Sequence, residues 1–132
     1  MLKRNKRFLI MLLTLALPFG CARCSDGDSA SYDQISGAEA KALMDSESGY
    51  IIIDARTQEE YDAGHIPGAI LIPEYEIADR VEKELSDKNQ LILVYCRSGR
   101  RSKIAAEELV KLGYTNVKEF GGIIDWEYEI VK

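Results

Sequence analysis

The chain has 132 residues, enough for one domain around one hydrophobic core, and its composition is that of an ordinary globular protein, 46% hydrophobic and 30% charged. The formal net charge is −5, and because Lys3, Arg4, Lys6 and Arg7 put +4 on the first twenty residues, the remainder carries −9. A body that acidic lacks the basic footprint that nucleic-acid binding needs, so that class of partner is excluded.

The basic start runs into an apolar stretch from Phe8 to Leu17. It is too short to span a bilayer comfortably but suits the apolar core of an export signal. Gly20-Cys21 resembles the cleavage box of bacterial lipoproteins, in which the cysteine is lipidated and becomes the new N-terminus. Pro18 and Phe19 stand where that box usually has leucine and a small residue. Cleavage after Ala22 and an uncleaved anchor are the competing readings. The expectation is a lipoprotein-type signal peptide over residues 1–20, lipidation at Cys21, and an exported protein, either periplasmic or lipid-anchored to the outside of a bacterial membrane. Ser25-Asp-Gly-Asp-Ser-Ala-Ser31 is small and polar, so residues 21–31 read as a flexible tether. Cys21 and Cys24 form a Cys-x-x-Cys pair, but no strand or helix pattern surrounds it and no second ligand pair exists. No metal and no cofactor are expected. Whether Cys24 pairs with Cys96 stays open at this level.

The folded part is expected over residues 32–132. Ser36-Gly37-Ala38-Glu39 is a capping-box pattern followed by Ala40, Leu43 and Met44, which predicts a first helix. Residues 50–54 are a β-branched run, the mark of a strand buried on both faces. Thr57-Gln58-Glu59-Glu60 opens a second, short helix that ends near Gly64. Residues 69–72 read as another buried strand, closed by Pro73. Ile77, Val81 and Leu85 are spaced by four and mark one helix face. Residues 91–95 are a continuous apolar run and predict the central strand. Ile104, Ala105, Leu109 and Leu112 follow helical spacing up to Gly113, a C-terminal cap. Residues 117–120 predict the last strand, and Gly121-Gly122 turns the chain into a short final helix containing Trp126, read as core. Strands alternating with helices argue for an α/β domain with a mainly parallel sheet covered on both faces. No internal repeat is present.

The most informative segment is Cys96-Arg97-Ser98-Gly99-Arg100-Arg101-Ser102. It places a cysteine where a buried strand ends and a helix begins. Helix-start N–H groups are unpaired and form an anion site. The helix dipole and the arginines favour the thiolate. A buried cysteine is often only a small hydrophobe, but Cys96 lies where the apolar pattern stops, beside charge. Arg100 by itself is also compatible with plain surface charge.

These residues and three further segments resemble the rhodanese domains. The segments are Ile53-Asp54-Ala55-Arg56 with Glu60-Tyr61, Gly64-His65-Ile66-Pro67-Gly68-Ala69, and Phe120-Gly121-Gly122 with Trp126. The resemblance covers residues 32–132 in one copy. It implies a three-layer fold with a five-stranded sheet. It also implies sulfur transfer, with Cys96 as the nucleophile that carries sulfur as a persulfide. Loop amides from Arg97 through Ser102 would stabilise the sulfur anion. Arg97 and Arg101 would bind the anionic donor, with Arg100 widening the positive field or facing solvent. Partners are then a small anionic sulfur donor and a thiol or cyanide acceptor, and a monomer is expected. Asp54 and Arg56 read as a loop-fixing pair. His65, the single histidine, reads as a turn residue whose ring bonds to backbone, a structural support and not a general base. Two other functions compete. A cysteine phosphatase loop needs arginine at the sixth position after cysteine, and here that position is Ser102. A non-catalytic rhodanese-like binding module at the membrane is the other alternative.

Overall fold

The computed structural model describes residues 31–132. The expected signal peptide, tether, Cys21 and Cys24 lie outside the described residues. The elements in chain order are β1 (Asp33–Gln34), α1 (Gly37–Ser46), β2 (Ile51–Asp54), α2 (Gln58–Ala63), β3 (Ile70–Leu71), α3 (Ile77–Glu84), β4 (Ile92–Cys96), α4 (Arg100–Lys111) and β5 (Val117–Gly122). Single 3-10 turns at Glu74–Glu76 and Ile123–Asp125 complete the set. All strand pairs are parallel, in the order β1-β5-β4-β2-β3. This is the α/β architecture expected from the alternation of elements, and β4 is indeed the central strand.

The period of two along β4 divides the core. Ile92, Val94 and Cys96 pack with Val81, Leu85, Ala105 and Leu109 of the α3/α4 side. Leu93 and Tyr95 pack with Ala40 of α1, Ile66 and Phe120 on the other side. Both faces of β4 are thus buried, which is why its sequence is apolar without alternation. The helix signals in the sequence correspond to real caps. Ser36 and Thr57 each accept the N3 amide, from Glu39 and Glu60, whose side chains reach back to the cap backbone. Ile77, Val81 and Leu85 are all buried. Gly113 (φ 94°) ends α4, with its own N–H bonded to the Val110 carbonyl and that of Tyr114 to Leu109.

Two expectations need correction, and one strand had no expectation at all. Residues 69–72 do not form a strand buried on both faces. Only Ile70–Leu71 pair, at the sheet edge, and both are half-buried, whereas the flanking Ala69 and Ile72 are buried. An apolar run does not distinguish an edge strand whose neighbours supply the core contacts. The final helix is only the 3-10 turn Ile123–Asp125; Trp126 follows it, half-buried against Phe120, with its indole N–H donated to the Glu129 carbonyl at 3.1 Å. The short β1 carries no apolar signal, since Asp33 and Gln34 are both exposed.

Candidate active site

Cys96 is the last residue of β4, and the chain reaches α4 through Arg97, Ser98 and Gly99. Gly99 is the N-cap of α4 at φ 107° and ψ −12°, with no side-chain cap. That positive φ suits glycine. It turns the Gly99 N–H back onto Cys96 Sγ at 3.0 Å. The N-cap amide of α4 is therefore aimed at a sulfur atom, and no side-chain hydroxyl or carboxylate caps the helix.

The thiol is nearly closed off, at 1% exposure, and also completes the α3/α4 side of the core. Burial pushes its pKa up. The Ser102 hydroxyl and the N–H groups of Ser102, Gly99 and Ser98 pull it down, and the balance lies below the ordinary thiol value. The loop is held from the far side by β5. A Cβ on Gly122 would collide with the Arg97 carbonyl, so only glycine lets β5 approach this closely. The β4–β5 register shifts here: Val94 pairs with Glu119 but Cys96 with Gly122. One extra β5 residue is accommodated, a bulge that bends the strand beside the loop.

The loop arginines separate. Arg97 and Arg100 are exposed. Arg101 is half-buried and donates to both oxygens of Glu60, Nη1 to Oε2 at 2.7 Å and Nη2 to Oε1 at 2.9 Å. This pair draws the Glu60 carboxyl down to about 2, the arginine contact outweighing partial burial. The expectation for Arg101 was a donor ligand; the structure engages its guanidinium first with α2. Its charge still acts on Cys96, whose thiolate raises the Arg101 pKa after Glu60 does. Ser98 is exposed and Ser102 buried.

A second cluster lies one strand away. Asp54 ends β2 and is fully buried. It accepts from the backbone N–H of Arg56 at 3.0 Å, from Arg56 Nη2 at 2.7 Å and from the Tyr95 hydroxyl at 2.7 Å. Arg56 also donates to the Gly64 carbonyl at 2.7 Å, and Tyr95 accepts the Ile66 N–H at 3.1 Å. Burial raises the Tyr95 hydroxyl well above its usual range, and the adjacent Asp54 adds to that, so it remains a proton donor. His65 stacks on Tyr61, ring centroids 3.7 Å apart, with Nδ1 2.9 Å from the Tyr61 carbonyl oxygen. Its backbone pairs with Val131. These contacts brace loops and tie down the C-terminal segment, and none involves Cys96.

Two residues that the sequence reading did not assign to the site belong to it. Glu60 is the partner of Arg101, a link across 41 positions that spacing does not reveal. Glu119 of β5 is 3% exposed, and its Oε1 takes the Ser102 hydroxyl at 2.6 Å and the Gly121 N–H at 2.8 Å. In Val117-Lys118-Glu119-Phe120 the available signal was that Glu119 falls on the same strand face as Val117.

Fold and site together define a parallel α/β domain with a buried cysteine at an arginine-rich strand-to-helix loop. The model of the rhodanese-like domain matches residues 36–129. The chain belongs to the rhodanese-like family. It is 44% identical over 73 residues to thiosulfate sulfurtransferase PspE of Escherichia coli, a match covering 55% of this chain and 70% of the relative. A sulfurtransferase of Allochromatium vinosum is 36% identical over 88 residues, covering 66% and 79%. Other curated relatives are longer, and the chain spans 27% of one and 55% of another. Among solved structures, a rhodanese with anions from E. coli superposes with a TM-score of 0.60 at 40% identity, covering 64% of this chain and 99% of that one. Family and relatives support sulfurtransferase activity in general.

Proposed function

We propose that the protein moves sulfane sulfur from thiosulfate or a persulfide to a thiophilic acceptor through a persulfide on Cys96, acting as a monomer. The Cys96 thiolate attacks the outer sulfur of thiosulfate. A sulfur–sulfur bond forms, and the bond to the sulfonate sulfur breaks, so that sulfite leaves with the electron pair. The acceptor, a thiolate or cyanide, then attacks the terminal sulfur and returns Cys96 as thiolate. The observation that carries this reading is the uncapped start of α4, whose Gly99 N–H bonds Sγ. Amides so placed favour negative charge on sulfur in both half-reactions. Arg97, exposed at the loop, draws in the dianion, and Arg101 adds charge from behind. Ser98, Gly99, Arg100 and Ser102 complete the loop that surrounds the donor.

The test is thiosulfate:cyanide turnover of the parent and of Cys96→Ser, with aryl phosphate hydrolysis as a control. Sulfur transfer lost in Cys96→Ser, with negligible phosphatase activity, is the expected outcome. Transfer retained without Cys96 overturns the mechanism. No transfer by either protein favours a non-catalytic module, and Cys96-dependent phosphatase turnover favours the phosphatase reading.

The place of action proposed with it is outside the cytoplasmic membrane, held by lipid on Cys21. An acidic body gains nothing from anionic headgroups, so acyl chains supply the attachment. Membrane fractionation of the expressed full chain, with mass spectrometry of its N-terminus, tests this. An unmodified soluble protein that retains Met1 contradicts it.

A further inference from the structure

The C-terminal segment builds a wall beside the Cys96 loop. Val131 exchanges backbone hydrogen bonds with His65, at 2.8 and 2.9 Å, and so holds its neighbour Ile130 against Gly64. On the loop side, Ile124 follows the β5 bulge and donates its N–H to the Arg97 carbonyl at 3.3 Å. Ile123, Ile124 and Ile130 line an open cleft of about 410 Å³ together with Arg56, Glu60 and Lys132. The cleft adjoins the active-site loop twice, through the Ile124–Arg97 bond and through Arg101, which Glu60 grips. Its volume is in the range of small-molecule sites. Ile124 is 61% and Ile130 47% exposed, so two of the large apolar side chains that the fold leaves in solvent meet in one place.

The charges around the cleft do not balance. Arg56 is answered by Asp54 and Glu60 by Arg101, each at 2.7 Å. Lys132 and Arg97 are exposed and have no ion-pair partner among the described residues. A ligand that complements this cleft is apolar along its length and anionic at one end. Cys96 is 1% exposed, so the group that reaches its sulfur must be slim. A thiol on an unbranched alkyl arm meets that condition; a thiol flush with the surface of a folded protein does not.

We propose that this cleft binds the organic part of the sulfur acceptor, and that the acceptor is a small aliphatic thiol ending in a carboxylate. This acceptor class rests on the sulfur-transfer reading. The alkyl chain covers Ile124 and Ile130, and the carboxylate takes the free cationic charge at the rim. The acceptor's thiolate attacks the outer sulfur of Cys96–S–SH. A sulfur–sulfur bond forms there, the bond to Cys96 Sγ breaks, and its electron pair stays on Cys96. The product is the acceptor's own persulfide, RS–SH, which carries the sulfur away.

The experiment uses the full chain with thiosulfate as donor. It measures kcat/KM for 3-mercaptopropionate, 6-mercaptohexanoate and 6-mercaptohexanol, each referred to its thiolate concentration, with cyanide as the reference acceptor. The three added methylenes of the longer acid should raise kcat/KM about eightfold, roughly twofold for each half-buried methylene. The alcohol should lie about threefold below the acid of equal length. In the double variant Ile124→Ser with Ile130→Ser the eightfold gain should fall below about twofold. That ratio is taken within one protein and does not depend on the fraction folded. No gain with chain length in the parent, a gain that survives in the double variant, or an alcohol as good as the acid overturns the proposal. Hexanoate, which has no thiol, probes the cleft without chemistry. It should move the methyl resonances of Ile124 and Ile130 and leave those of Ile104, exposed on α4, in place. Unmoved Ile124 and Ile130 methyls also overturn the proposal. If cyanide too receives no sulfur, the sulfur-transfer reading fails, while the hexanoate result still decides whether the cleft binds an anionic alkyl chain.

Discussion

Two strand-to-helix junctions lie side by side at the carboxyl ends of neighbouring strands, with Asp54 paired to Tyr95 in register. They use similar residue types for opposite ends. At β2–α2 the buried charges, Asp54 and Arg56, answer one another. Arg56 is held by Asp54 and by the Gly64 carbonyl, and α2 begins on Thr57 in a complete capping box. At β4–α4 the helix begins on Gly99 with no side-chain cap, its neighbouring N–H groups converge on a sulfur atom, and Arg97 and Arg100 face solvent. A helix start satisfied by its own sequence is scaffold, and one left open around a nucleophile is a site. Open sheets of this kind place ligands at the carboxyl ends of their strands, which holds for both junctions. Capping is what tells them apart.

The comparison breaks first at Asp54. Asp54→Ala leaves Arg56 buried without its partner, 5% exposed, and also removes the acceptor of Tyr95. Losing one partner of a buried pair costs about 3–5 kcal/mol, so a large fall in the denaturant midpoint is expected. An equally stable Asp54→Ala protein would show that the β2–α2 network is not structural. At the other junction the expected signature reverses. Arg97→Ala removes an exposed charge that holds up no fold contact, so its melting temperature should stay within error. The KM for thiosulfate should rise about tenfold, roughly 1.4 kcal/mol, and the difference should shrink with added salt. Steady-state kinetics at two ionic strengths checks both.

The Glu60–Arg101 pair crosses between the junctions and gives the smallest effect. The folded protein holds Glu60 at about 2 against an ordinary 4.5. A carboxyl lowered on folding contributes stability above its unfolded value and loses it as pH falls through the folded one. Glu60→Gln should therefore melt below the parent at neutral pH, by under about 1 kcal/mol given its partial exposure. The two melting curves should converge as the pH falls from about 4.5 to about 2. A difference that persists at the acid end would assign the loss to α2 capping, since Glu60 also accepts the Thr57 N–H.

The sequence made the alternation of elements, both capping boxes, the central strand and the Cys96 loop legible because each is a local pattern: a period, a cap, a breaker. The Asp54–Arg56 pair was also legible, because its members lie two residues apart at a strand end. Edge status was not legible for β3, since Ile70 and Leu71 are apolar whether one sheet neighbour or two adjoin them. β1 was invisible because its pairing with β5 is made by backbone, with exposed side chains. The partners of Arg101 and Ser102 were missed for a single physical reason: Glu60 and Glu119 reach the loop from α2 and β5, and only folding brings those elements together. The cysteine and its loop were thus legible in the sequence, while the carboxylates that hold that loop required the fold.

The most direct test of the central claim is the chemical state of Cys96 after the full chain is incubated with thiosulfate and freed of small molecules. Mass spectrometry of the Cys96 peptide is expected to show the gain of one sulfur atom, lost again as thiocyanate when cyanide is added, with Cys24 unchanged. A Cys96 peptide that never gains sulfur while the protein still turns over thiosulfate would contradict the account.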